Sequence, residues 1–195
     1  MDEGDAPTGM RDLAAAAQQG GGAAAEILMG RVRQLALRYA RARLGRFGAE
    51  DVAQDVAQEV CMAVHTGLRT YADRGLPFEA FVYSIAAHKT ADAQRLLIRG
   101  PAAVAEVPDT VDTSAGPEEV AVIRDAADRA LALIRTLPAQ QQEILTLRVA
   151  VGLSTEETAA ALEMSTGAIR VAQHRALTKL RSLLADSEGS RGVAS

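Results

Sequence analysis

Along this chain apolar residues recur at three- and four-residue steps, and nowhere do they alternate with polar ones for the length of a strand. In residues 24–44, Ile27, Leu28, Val32, Leu35 and Tyr39 mark one face of a helix, which Gly45 and Gly48 then break. Upstream, residues 11–22 (RDLAAAAQQGGG) read as a short helix ended by glycines. Residues 50–66 predict the next helix, with Val52, Val56, Val60 and Val64 on one face and Asp51, Asp55, Gln58, Glu59 and Met62 on another. Gly75 and Pro77 make residues 70–78 a loop. A further helix over 78–99 carries Phe81 and Ile85 together with a polar strip of His88, Lys89, Asp92 and Arg95. The pattern predicts an all-α protein.

The period fails at 100–117 (GPAAVAEVPDTVDTSAGP), whose prolines and small residues read as an interdomain linker. Pro117, Glu118 and Glu119 then open a helix, because proline suits the first turn and acids suit its positive end. Its stripe is Val120, Ile123, Ala127, Ile134 and Leu137, and Pro138 opens another helix that ends near Gly152. Next comes a capping box: Ser154 can cap the free amides while Glu157 reaches back. The short helix it starts is lined by Ala159, Ala160 and Ala161, small enough for a second helix to cross closely. That second helix begins near Thr166, with Ile169, Ala172, Ala176 and Leu180 inside and Gly167, Arg170, Val171, His174 and Arg175 outside. Two helices, a short turn and an exposed polar second helix describe a helix-turn-helix. Pattern alone leaves a plain helical hairpin with a solvated basic face equally open.

Composition decides the number of domains. Hydrophobic residues make up 48% of the 195, but many are alanine, aromatics are 3% and there is no Trp. Such a chain builds thin, closely crossing helix packings rather than one thick core, so two small helical domains are expected. Charge is segregated. The net charge is −4, yet residues 164–185 carry no acid while holding Arg170, Arg175, Lys179 and Arg181. Glu106, Asp109, Asp112, Glu118, Glu119, Asp125 and Asp128 face only Arg124 in the middle of the chain. One face can therefore meet DNA while the rest stays soluble. The single Cys61 excludes an internal disulfide and a cysteine zinc cluster, and the three histidines have no metal-ligand spacing. No metal, cofactor or catalytic residue is expected, and no enzyme. The N-terminus lacks the parts of a signal peptide and no apolar run approaches a membrane span, so a cytoplasmic protein without membrane insertion is expected.

The residues also carry a family resemblance. LSTEETAAALEMSTGAIRVAQHRALTKLR (153–181) resembles, without a gap, the promoter −35 reading segment of bacterial sigma factors, in the extracytoplasmic-function group of the sigma-70 family. LPAQQQEILTLRVAVGLS (137–154) is similar to that group's lead-in helix, DVAQEVCMAV (55–64) to its core-polymerase-binding helix, and PFEAFVYSIAAHKTADAQR (77–95) to its −10 reading and melting segment. Within the group the chain resembles the actinobacterial sigma-D-like proteins. The resemblance covers about residues 11–184 in order. It implies a tail at 1–10, a region 2 domain at 11–100, an acidic flexible linker at 101–116, a region 4 helix-turn-helix domain at 117–186 and a tail at 187–195.

It also implies roles. Thr166, Gly167, Arg170, Val171, His174 and Arg175 would read the −35 duplex, with arginine forks suited to guanine edges or phosphates. Tyr71, Arg74, Leu76, His88, Lys89 and Arg95 would hold the opened −10 strand, while Phe78, Phe81 and Tyr83 read as core. Asp55, Gln58, Glu59 and Met62 would meet core RNA polymerase at its clamp helices, and the second domain would meet its flap. An anti-sigma factor is a further partner that the resemblance admits. Lys179 and Arg181 are backbone contacts or simply solvated. The acidic linker is either a thread toward the polymerase active centre or a plain tether.

Three departures stand out. Glu163 occupies a turn position where the family usually has glycine; a left-handed backbone there would cost it about 1 kcal/mol, so the turn is either shifted or strained. Phe81 stands where the family usually has Trp. The DVAQ repeat (51–58) leaves two registers for the polymerase-binding acids, of which the one that uses Asp55 aligns Gln58 and Glu59. The competing function is a helix-turn-helix regulator that binds duplex DNA without polymerase. A pure interaction protein is a third class.

Overall fold

The computed structural model describes residues 9–99, 130 and 132–192. The expected linker, and the stripe positions Val120, Ile123 and Ala127, lie outside the described residues, as does most of the expected N-terminal tail. Every regular element among the described residues is helical. The first four are α1 (Met10–Gln18), α2 (Gly22–Leu44), α3 (Glu50–Leu68) and α4 (Phe78–Arg99). α1 starts inside the stretch expected as tail because Met10 is buried against the core. A 3₁₀ turn at Gly45–Phe47 and the left-handed Gly48 (φ 62°) separate α2 from α3, where the two glycines were expected to break the chain.

α1 to α4 enclose one core. Leu13, Leu28, Val32, Ala36, Leu44, Val60, Val64 and Phe78 are fully buried in it. Each large side chain there contributes about 1.5–3 kcal/mol of gross burial. Ala36, Ala40, Ala53, Ala57 and Ala86 sit among them, so the helices approach closely, as the alanine-rich composition requires. Ile27 does not join this core. It is 52% exposed, because it sits about 100° around α2 from Leu28, which faces inward.

The second half comprises α5 (Ala139–Leu145), one turn of π-helix (Thr146–Val151), α6 (Thr155–Ala161) and α7 (Thr166–Gly192). α7 runs through most of the stretch expected as a C-terminal tail. Two small clusters hold this half together: Leu137 and Leu145 under Ala176, and Ile144 and Ala159 under Ile169. The capping box is formed. Ser154 Oγ accepts from the Glu157 amide at 3.1 Å, and Glu157 Oε2 accepts from the Ser154 amide at 2.6 Å.

α6 ends in the left-handed conformation at Glu163, with φ 54°. The Met164 amide donates to the Ala159 carbonyl at 2.9 Å and the Glu163 amide to the Ala160 carbonyl at 3.4 Å, which is the Schellman end that glycine normally supplies. The turn is therefore not shifted. Of the two outcomes open at this position, the strained one holds: a side chain sits in a left-handed backbone.

The two halves are packed together, which the two-domain pattern did not foretell. Leu147, Val151 and Leu153, from the second half, are buried in the core of the first. Urea unfolding followed by circular dichroism tests the local reading. Ser154→Ala should lower the stability of the second half by about 1 kcal/mol, and Glu163→Gly should raise it by up to about 1 kcal/mol. A destabilised Glu163→Gly variant would contradict the strain at that turn.

Candidate nucleic-acid interface

α6 and α7 cross with Ile169 and Ala176 inward and fully buried. Ala172 and Leu180 pack behind them, completing the expected inner face. The opposite face presents Gly167, Arg170, Val171, His174 and Arg175 to solvent, with Thr166 half-buried at its start. A Cβ on Gly167 would meet nothing nearer than Ser165 Oγ at 4.0 Å, so packing does not require glycine there. The helix starts at Thr166, as expected, and its cap matters for an anion. Ser165 Oγ accepts from the Ala168 amide at 3.1 Å, so Ser165 is the cap and one of the free amides is already used. Arg170 lies 3.5 Å from Glu156 of α6, both side chains being about two thirds exposed (67% and 64%). Arg148 bonds the Leu153 carbonyl and donates to Gln173 Oε1 at 3.2 Å, tying the π turn to α7.

Of the three alanines expected under the second helix, only Ala159 lies there. Ala160 and Ala161 face the other half of the molecule. With Glu163 they form one wall of a cleft of about 460 Å³, whose other wall includes Tyr71, Arg74, Leu76 and Phe81.

The loop between α3 and α4 is built from both ends. Asp73 pairs with Arg11 at 2.6 Å and accepts from the Gly75 amide at 2.8 Å, and the arginine holds its carboxyl below the usual carboxylate range. Gln18 donates to the carbonyls of Leu68 and Tyr71, each at 2.8 Å. Arg74 and Leu76 are left exposed at the tip. Tyr71 is partly committed elsewhere: its ring lies 5.0 Å from Phe78 and 5.1 Å from Phe81, in an aromatic cluster at the loop's base. Phe78 is fully buried, as expected of core, whereas Phe81 and Tyr83 are only half-buried. Along α4, His88 lies 3.3 Å from Asp92, and Arg95 also pairs with Asp92. Lys89 reaches across to Glu59 of α3 at 2.8 Å.

On α3 the period separates two faces. Val56, Ala57, Val60 and Val64 are buried, while Asp55, Gln58, Glu59 and Met62 are exposed, Met62 by 56%. The earlier acidic register would put Asp51 in the place of Asp55, and Asp51 is exposed as well; its neighbour Glu50 is gripped by the Arg41 guanidinium at 2.9 and 3.1 Å from Nε.

The residue that sequence reasoning missed is Glu143, on α5. Its carboxylate accepts from Tyr39 Oη at 2.8 Å and from Tyr83 Oη at 2.9 Å, and it pairs with Arg43 at 3.2 Å. The two phenol rings meet edge to face, with centroids 5.5 Å apart. Nearby, Arg38 donates to the Val151 carbonyl at 3.2 Å. Burial, and then the Glu143 charge, push both phenols well above their ordinary value. Local sequence gives no sign of this site, since Glu143 sits among glutamines in a helix that reads as solvated.

Comparison with known proteins adds to this geometry. The profile described as Sigma-70 region 2 matches residues 28–96, and that of Sigma-70, region 4 matches residues 127–180. The chain is 50% identical over 166 residues to the ECF RNA polymerase sigma factor ShbA of Streptomyces griseus subsp. griseus, covering 80% of this chain and 85% of that protein. It is 51% identical over 156 residues to the ECF RNA polymerase sigma factor SigD of Mycobacterium tuberculosis, covering 77% and 72%. Among solved structures, CnrH in complex with the cytosolic domain of CnrY superposes with a TM-score of 0.62 at 26% identity, over 90% of this chain and 97% of that one.

The phenols give a test of the Glu143 site. A phenol whose folded value lies above its unfolded value stabilises the fold fully below about pH 10, and that stability is lost as pH rises toward the folded value. Near-ultraviolet titration of phenolate should therefore show Tyr39 and Tyr83 neutral past pH ~10 until the chain unfolds, whereas the denatured chain should titrate near 10. Ordinary titration of every tyrosine in the folded chain would contradict the site.

Proposed function

This chain belongs to the extracytoplasmic-function sigma factors of the sigma-70 family, and we propose from that premise how its surfaces divide the work of starting transcription. As a member of that family it acts with RNA polymerase at promoters rather than as a catalyst.

The exposed face of α7 reads the −35 duplex in the major groove. Arg170 and Arg175 reach base edges or phosphates. Val171 offers a methyl-contacting surface and His174 a hydrogen-bonding edge. Thr166 and the amides that Ser165 leaves free take a phosphate. Gly167 serves the close approach of the helix to the duplex, since nothing inside the protein asks for it.

Asp55, Gln58, Glu59 and Met62 form the surface for the polymerase clamp helices, in the register that uses Asp55 rather than Asp51. Arg74 and Leu76 at the loop tip, with Tyr71 beneath, receive an unstacked −10 base, and His88, Lys89 and Arg95 follow its strand. The acids now beside those three cations hold them in place until phosphate replaces them. The region 4 half meets the flap.

The single observation that carries this reading is that an exposed acidic-polar face on α3 and an exposed basic face on α7 occur on one chain that matches both sigma regions in order. A stand-alone helix-turn-helix regulator would lack the first. The solved CnrH structure holds a second protein, the cytosolic domain of CnrY, and this supports an anti-sigma partner here too. No described helix is long and apolar enough to cross a membrane, in keeping with action in the cytoplasm.

The test is transcription in vitro with purified core polymerase and a promoter library; absence of product on every template would overturn the reading. Arg170→Ala and Arg175→Ala should each weaken promoter binding by about tenfold or more while polymerase binding persists. Equal loss of both activities would refute the assignment. Gly167→Ala should leave or slightly raise stability and still weaken −35 binding. Asp55→Lys should reduce co-purification with core polymerase, and unchanged recovery would remove Asp55 from that surface. It is a cleaner probe than a change at Glu59, which also holds Lys89.

A further inference from the structure

We propose that Glu143 is a latch: it holds the chain shut with its −10 loop turned toward its helix-turn-helix, and it must let go before the promoter is bound. The proposal rests on the sigma reading only for what the opening serves.

The geometry is specific. Glu143 comes from the second half, and its three partners come from two helices of the first: Tyr39 and Arg43 on α2 and Tyr83 on α4. The Glu143 side chain is 16% exposed. A carboxylate so enclosed is costly to bury without donors, so the three act together: losing them leaves a poorly paired charge, and moving the halves apart returns it to water. A latch of this chemistry is also reversible. Once open, the carboxylate and both phenols are water-compatible, unlike a purely apolar seam.

Beside the latch the seam is loosely packed. On one side, a cleft of about 450 Å³ runs between Arg41, Arg43 and Gln94 of the first half and Ile134, Leu145 and Leu177 of the second. On the other lies the cleft shared by Tyr71, Arg74 and Leu76 with Ala160, Ala161 and Glu163. Between them, Leu147, Val151 and Leu153 and the Arg38 bond to the Val151 carbonyl complete the contact.

This arrangement does not suit a two-element promoter. The −10 and −35 elements are, by name, about 25 base pairs apart, which is on the order of 85 Å along the duplex. The expected −10 loop and the turn of the helix-turn-helix instead share one cleft. Residues 100–129, which join the halves, could span on the order of 100 Å if extended, so chain length permits the separation.

The test uses the full chain with Cys61→Ser, Glu26→Cys and Ser182→Cys, which puts one spin label on exposed α2 and another on exposed α7. The free protein should give one short, narrow distance distribution. Glu143→Ala should raise the population of long distances about tenfold or more, Glu143→Gln should do so less, and Tyr39→Phe with Tyr83→Phe should shift it the same way. Helical content read by circular dichroism checks folding, and the double Phe variant carries the test if Glu143→Ala fails to fold. Glu143→Ala should also associate faster with core polymerase. An unchanged short distance in the Glu143 and double Phe variants, or a long and broad distribution in the parent chain, would overturn the latch. The distance reading uses no polymerase, so failure of the sigma reading would show in the transcription assay and not here.

Discussion

The two halves of this molecule meet across one enclosed carboxylate and a short apolar seam. Glu143 lies on a helix of the second half and is satisfied by donors from two helices of the first, Tyr39, Arg43 and Tyr83. The π turn that follows lies against the first half, with Leu147, Val151 and Leu153 buried in its core. α6 begins at the capping box immediately after Leu153 and lies beside the loop between α3 and α4.

Aromatic economy shapes the rest. With three Tyr and three Phe in 195 residues, large rings are kept for places where helices must meet at a fixed distance. Tyr71, Phe78 and Phe81 brace the loop between α3 and α4, and Tyr39 and Tyr83 brace the seam. A Cβ on Gly67 would lie 3.3 Å from the Phe81 ring, so glycine lets that ring lie close against the end of α3. Elsewhere alanine does the packing, and the two small clusters of the second half are thin enough that local devices count: the Ser154 and Glu157 box, the Ser165 cap and the Schellman end at Glu163.

The exposed faces show how one chain keeps opposite charges apart. α3 presents Asp55 and Glu59 outward while α7 presents Arg170, His174 and Arg175, and net charge describes neither. Some cations are held in advance: Glu59 holds Lys89, Asp92 holds His88 and Arg95, and Glu156 stands beside Arg170. These pairs are exposed and individually weak.

The sequence by itself determined what short-range physics controls. Helical period placed Val56, Val60 and Val64 inside and Asp55, Gln58, Glu59 and Met62 outside. Ser154 and Glu157 announced their cap, whereas Glu163 left its turn either shifted or strained. Each of these depends on neighbours within about one helical turn. Only the tertiary structure decided the rest. Glu143 finds Tyr39 and Tyr83 across 104 and 60 residues of chain, and no local signal marks it. Ala160 and Ala161 looked like a seat for the second helix until packing turned them toward the loop between α3 and α4, and Ile27 lay one position off the stripe that the core selected. Side-chain period says which face is apolar. Which element covers that face depends on contacts between distant segments, and those form only when the chain folds.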